Sequence, residues 1–308
     1  MLLARVTNIL MFAVVIVGFL VTETGSAQGC GRHWPLCDGQ FTPPFDLHGA
    51  VEYGHRFISG VVGILVLWLA VWAWRRWGRR IEVRVLAALM LVFTFVQAAL
   101  GAAAVLFPTS PEVLASHFGI SLIAFGGTLG LDLRLHQAAA AGQALPPAAP
   151  PQTLSAGLRW LVYLGAVYIF LLVYLGAYVS HTGTGMLCGT SWPLCLGQIV
   201  PSLTGSVWIP FLHRAAAFVA VVWAVWLYVA LRPLAWSRPD VVRGAAATLA
   251  LILLQALSGW YLVASGLALG AIMLHVTLMT LLFAAITYLV LQALPELYRH
   301  DRTDPAPT

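Results

Sequence analysis

Eight runs of apolar residues, near positions 6–24, 54–74, 84–107, 113–133, 158–180, 209–231, 244–265 and 269–293, divide the chain. As an α-helix, a run of about 20 residues covers roughly 30 Å, the thickness of the hydrocarbon core of a bilayer. Of the 308 residues, 60% are hydrophobic and 9% charged, so a water-facing surface cannot be made from this chain. The expected fold class is therefore an all-α membrane protein with eight transmembrane helices. Connections between the runs reach roughly 20 to 30 residues at most, which leaves no room for a separate soluble catalytic or nucleic-acid-binding domain.

All sixteen basic residues are arginine, and the net charge is +5. Their placement orients the chain. Arg75, Arg76, Arg79, Arg80 and Arg84 lie between runs two and three, Arg134 follows run four, Arg232, Arg238 and Arg243 lie between runs six and seven, and Arg299 and Arg302 lie in the tail. With Arg5 they mark one face as cytoplasmic by the positive-inside rule, so both termini are expected inside the cell membrane, with no nucleic-acid partner. The first run, preceded by Arg5 and followed by Gly25, Ser26 and Ala27, has some features of a secretory signal. The repeat described next implies that it is kept as a span. The stretch from 136 to 155, HQAAAAGQALPPAAPPQTLS, reads as a flexible cytoplasmic linker.

One constant offset of 158 relates the two halves. It pairs Cys30 with Cys188, Cys37 with Cys195, His55 with His213, Gln97 with Gln255, Gly101 with Gly259 and His117 with His275. TETGSAQGC is similar to SHTGTGMLC, HWPLCDGQ to SWPLCLGQ, and His55-Arg56 recurs as His213-Arg214. Four spans per unit give both units the same orientation. The expected architecture is thus two parallel-repeat four-helix bundles related by a pseudo-twofold axis along the membrane normal. The units are residues 1–135 and 157–295, joined by 136–156 and followed by a cytoplasmic tail, 296–308.

His55 lies close to the start of run two and His117 about six residues after Pro111, at the face opposite the arginines. At 1.5 Å per residue both sit one to two turns below that face, where two neighbouring helices offer imidazoles to opposite sides of a flat macrocycle such as haem. His213 and His275 repeat the arrangement. Histidine inside a span is costly, and function is the default reading, although one such residue alone can serve as interhelical glue. Zinc or copper would need further ligands at helical spacing, and none appears. His33, His48, His136, His181 and His300 have no repeat partner and read as loop, linker or boundary residues.

Cys30 and Cys37 lie in the loop between runs one and two, and Cys188 and Cys195 between runs five and six, both on the outer side where thiols oxidise. The repeat favours one bridge within each loop. Such a bridge is a staple worth roughly 2 to 3 kcal/mol of loop entropy; a pair that exchanges electrons or thiols in turnover is the alternative, although the spacing is not C-x-x-C.

Taken together, these elements resemble the haem A synthase family, of the bacterial type with two cysteine pairs, over nearly the whole chain. The residues that carry the resemblance are E-x-x-H-R (Glu52, His55, Arg56), the C-x6-C loop before it, His117 in S-H-F-G, and their repeats in the second half, where Pro210 stands in place of the glutamate. The resemblance implies a membrane oxidoreductase that converts the C8 methyl of haem O to the formyl group of haem A for terminal oxidase biogenesis. It further implies that His213 and His275 hold the iron of a resident haem b, that His55 and His117 bracket the haem O substrate, and that Glu52 is the catalytic carboxylate beside it. The enzyme that farnesylates haem, and an electron acceptor of unstated identity, are the implied partners. Competing readings are a di-haem b-type transmembrane electron carrier, which would want one haem near each face, and a membrane thiol/quinone oxidoreductase, which gives the histidine pairs no purpose. Gln97 and Gln255 suit either haem propionates or interhelical packing.

Overall fold

The computed structural model describes residues 1–41, 46–78, 80–141 and 153–294. Its elements are α1 (Leu2–Glu23), α2 (Leu47–Trp77), α3 (Ile81–Leu106), α4 (Pro111–Ala141), α5 (Ala156–His181), α6 (Trp208–Leu231), α7 (Pro239–Ala264) and α8 (Leu269–Ala293), with one short 3-10 turn after α6. All eight α-helices are long and apolar enough to cross a membrane. Among the described residues there is no strand beyond the isolated bridges Cys37–Gln40 and Cys195–Gln198 in the two cysteine loops.

Two helices outrun the apolar stretches that announce them. Helix α2 starts seven residues earlier, because Asp46 caps it by accepting a hydrogen bond from the Gly49 N–H at 2.8 Å. His55 therefore lies eight residues into the helix instead of at its start, and His48 belongs to the first turn instead of the loop. Helix α4 continues through the alanines to Ala141, the strongest helix formers available. Residues 136–141, expected to open the linker, are helical instead. The remainder of that linker up to 152, with the C-terminal tail and His300, lies outside the described residues.

Helices α1, α4, α5 and α8 form the centre of the molecule. Helix α4 packs against α1, α3, α5 and α8, and 61% of its apolar window is buried, against 17–33% in the other seven spans. The core joins Met11 and Phe19 of α1, Leu122 and Phe125 of α4, Ile169 and Val173 of α5, and Met279 and Ile286 of α8. Polar ties cross between the halves at both ends of this core. Ser180 Oγ donates to Glu23 Oε1 at 2.6 Å, Tyr178 Oη donates to Glu112 Oε1 at 3.1 Å, and Arg134 donates to the Leu291 carbonyl. On the flanks, α2 and α6 turn large side chains outward, including Phe57, Ile64, Trp68, Phe218 and Trp226. That pattern suits lipid, in which outward apolar side chains cost nothing.

The offset of 158 reappears as structure. Helices α3 and α7 occupy corresponding residues at both ends, and α1 and α5 end at corresponding positions. The cis peptide bonds Trp34-Pro35 and Trp192-Pro193 correspond, as do the positive-φ glycines Gly25 and Gly183, Gly31 and Gly189, and Gly39 and Gly197. Glycine suits these positions because a left-handed backbone carries no Cβ penalty there.

Candidate functional site

The two cysteine loops close over the ends of α2 and α6. Disulfides join Cys30 to Cys37 and Cys188 to Cys195, as the repeat favours, and all four cysteines are buried. Each loop is tied to its helix by one arginine. Arg56 Nη1 donates to the carbonyls of His33 and Leu36, at 2.7 and 2.8 Å. Arg214 Nη1 makes the corresponding bonds to Ser191, at 3.3 Å, and Leu194. A guanidinium spends several donors on otherwise unmatched loop carbonyls, which explains why the residue after each histidine is Arg.

Below each loop lies a histidine pair, half-buried, on helices separated by a third. His55 on α2 and His117 on α4 are close enough to interact electrostatically, and so are His213 on α6 and His275 on α8. Every one of the four rings packs beside a glycine on a neighbouring helix. A Cβ on Gly18 would meet His55 Cε1 at 2.9 Å, and a Cβ on Gly176 would meet His213 Cε1 at the same distance. Gly101 and Gly259 stand beside His117 and His275 less tightly, at 3.3 and 3.5 Å. Gly18 and Gly176, which motif reading passed over, obey the same offset, and that is the signal by which they could have been found.

The two glutamines cross from α3 and α7 to bond histidine, at Gln97 Nε2 to His117 Nε2, 3.1 Å, and Gln255 Nε2 to His275 Nε2, 3.0 Å. Their carbonyl oxygens, together with the Nδ1 atoms of His55, His117 and His213, are buried without a hydrogen-bond partner among the described residues. Unsatisfied buried polar atoms call for an explanation, and these five belong to the two histidine pairs and the glutamines bonded to them, while others, such as His181 Nδ1, Thr248 Oγ1 and Gln292 Nε2, lie outside the pairs. Elsewhere His33 pairs with Asp38 at 3.5 Å, His48 bonds Ser26, and His136 lies between Asp132 and Arg5.

The halves differ beside the first histidine of each pair. Glu52 is buried, 3% exposed, one turn before His55. Its carboxylate accepts from Arg56 Nη2 at 2.5 Å and from the Cys30 backbone N–H at 2.7 Å. The disulfide loop thus lies over Glu52 and holds one of its oxygens, while Arg56 on the same helix holds the other. Pro210 stands at the matching position in the second half, and with no carboxylate there Arg214 Nη2 turns to the Gly189 carbonyl at 3.2 Å. The groove lined by Trp68, Trp72, Arg75 and Arg76 lies at the opposite end of α2 and takes no part in either pair.

Residues 45–287 match the family model described as Cytochrome oxidase assembly protein, COX15-CtaA. The chain belongs to the haem A synthase family. It is 40% identical over 285 residues to the Heme A synthase of Symbiobacterium thermophilum, an alignment covering 92% of each chain. The Heme A synthase of Bacillus licheniformis is 38% identical over 293 residues, covering 94% of each, and that of Geobacillus kaustophilus 37% over 292 residues, covering 94% of this chain and 90% of the relative. Family membership fits what the bundle offers, two imidazole pairs at matching positions in the two halves. Among the described residues no group of three or more His, Cys, Asp or Glu side chains gathers as a metal cage, so each histidine pair stands as a pair.

Proposed function

We infer that this chain is a haem A synthase, an integral membrane oxidoreductase that oxidises the C8 methyl of haem O to the formyl group of haem A. The single observation that carries the reading is the duplicated imidazole pair with a buried carboxylate in one copy only, in a chain of this family. The residues fit a haem. Each pair offers two imidazoles from helices on either side of a third, glycine lets each ring lie against a helix backbone, and the unpartnered amide oxygens of Gln97 and Gln255 border the pairs. His213 and His275 would hold a resident haem b in the unit 157–295, and His55 and His117 would bracket haem O in the unit 1–135. The parallel relation of the units about an axis along the membrane normal, with cytoplasmic termini and outward cysteine loops, belongs to the same proposal.

Converting a methyl carbon to a formyl carbon consumes one water and releases four electrons and four protons. The haem iron would carry electrons toward an acceptor, and the chain's own residues manage the rest. Glu52, fixed by Arg56 and the Cys30 N–H, would stabilise positive charge developing at the reacting carbon and orient the incoming water. Haem O produced by a farnesyltransferase in the same membrane would be the feed.

The test is a product assay. Cells supplying haem O and expressing this chain are extracted, and haems are identified by mass spectrometry. Hydroxymethyl and formyl derivatives of haem O are the expected products, and haem O recovered unchanged would overturn the reading.

A further inference from the structure

The second difference between the halves sits behind the other histidine of each pair. Ser258 Oγ lies 2.8 Å from His275 Nδ1 and 2.9 Å from the backbone carbonyl of Gln255, to which it donates. With the proton directed to that carbonyl, the hydroxyl offers its lone pair to the ring, an arrangement that suits Nδ1 carrying the hydrogen and Nε2 the lone pair. The Gln255 amide donating to Nε2 at 3.0 Å agrees with the same tautomer. In the first half Gln97 contacts His117 Nε2 in the same way, at 3.1 Å, but the residue matching Ser258 is Leu100. His117 Nδ1 is accordingly buried with no hydrogen-bond partner among the described residues. His55 and His213 both lack a partner on Nδ1, so the asymmetry belongs to the α7–α8 side alone.

We propose that Ser258 is a positioning residue that locks His275 as a permanent haem ligand, while Leu100 leaves His117 unlocked so that the first half can exchange its haem. The proposal rests on the reading of His275 as a ligand of the resident haem. A hydrogen bond to the far nitrogen fixes the ring and raises the basicity of the ligating one, and losing such a support typically weakens a metal site roughly 10- to 100-fold. A resident cofactor needs that support. A substrate that must arrive as haem O and leave as haem A is better served without it, since a ring held on one side only turns about its Cβ–Cγ bond. The choice of Ser against Leu therefore sorts the two sites into one that keeps haem and one that releases it, a distinction the histidine pairs alone do not make.

The experiment measures haem transfer from the purified full-length protein in detergent to excess apomyoglobin, with reduction midpoint potentials recorded alongside. Ser258→Ala is expected to release the resident haem about tenfold faster and to raise its midpoint potential, because a less basic imidazole stabilises the ferric state less. Ser258→Thr, which keeps the hydroxyl, should restore both. Leu100→Ser in a His275→Ala background, reloaded with added haem so that bound haem sits in the first half, should slow release about tenfold relative to His275→Ala reloaded alike; this arm also decides the matter if Ser258→Ala fails to fold. Unchanged transfer rates and potentials in Ser258→Ala, with the haem lost from His275→Ala, would overturn the role of Ser258 and leave the ligand standing. Full retention of the haem by His275→Ala would overturn the ligand reading itself.

Discussion

Gly176→Ala isolates the steric half of the haem-site argument. The added methyl would stand 2.9 Å from His213 Cε1 and 3.5 Å from each ring nitrogen, where ordinary contact begins at 3.4 Å. The imidazole must withdraw by about 0.5 Å, because the alternative is to push the backbone of α5, which is packed against α4, α6 and α8. A metal–ligand bond tolerates displacements of only about 0.2 Å, so the bond is lost or strained and affinity falls roughly 10- to 100-fold. The fold itself should survive. Overpacking costs about 1 to 3 kcal/mol, offset by about 1 kcal/mol from replacing glycine with alanine in a helix. Gly259→Ala is the matched control, since its methyl would meet His275 at 3.5 Å, an ordinary contact. The assay is the reduced-minus-oxidised haem spectrum per mole of purified protein, with thermal unfolding recorded beside it. Expected are a nearly haem-free Gly176→Ala, a haem-replete Gly259→Ala, and similar melting of the two apoproteins. Gly176→Ala holding haem at the level of Gly259→Ala would refute the claim that the glycine seats the ligand.

Three further outcomes follow from the same geometry. His213→Ala and His275→Ala should each lose the resident haem b from the spectrum, and full-strength, unshifted spectra in both would remove them as ligands. Glu52→Gln keeps an acceptor for the Cys30 N–H but loses the charge that pairs with Arg56, and should retain the resident haem while haem A output falls by about 100-fold, as for loss of one electrostatic stabiliser. Near-normal haem A in cells supplied with haem O would make Glu52 a structural residue. Thiol labelling of the denatured, unreduced protein should find none of the four cysteines; labelling of two would identify one bridge as redox-active, and labelling of all four would contradict both disulfides.

Much of this molecule is legible because the bilayer restricts what apolar runs can do. Eight runs became eight helices, and the offset of 158 carried the disulfides, the arginine ties and the histidine pairs with it. What escaped depended on contacts between side chains distant in sequence or on polar caps. Asp46 extended α2 backward through residues too polar to count in a hydropathy window, and alanine carried α4 past its apolar run. Gln97 and Gln255 suited either propionates or packing, and only the crossing of α3 against α4, and of α7 against α8, showed that histidine is their partner. That Glu52 shares a helix face with His55 was readable from their three-residue spacing. That its carboxylate is held by the disulfide loop was not, because the Cys30 N–H reaches it across 22 residues of chain.

The arrangement of helices bears on how the two proposed haem sites cooperate. His117 and His275 sit on α4 and α8, which pack directly against each other, whereas α2 and α6, with His55 and His213, pack only at the flanks against α1 and α3 or α5 and α7. On the proposed reading the two sites share the wall formed by α4 and α8. The better-supported ligand, His275, and the unsupported one, His117, are therefore both on that wall, and the two flanking ligands are equivalent. A duplicated unit has diverged where the sites adjoin, at Leu100 and Ser258, and where the loop meets the helix, at Glu52 and Pro210. On the proposed reading the first divergence governs how long haem stays, and the second governs whether a carboxylate stands beside it. On that reading one half keeps its haem while the other exchanges it, so exchanging Leu100 and Ser258 should redistribute haem between the halves without moving Glu52.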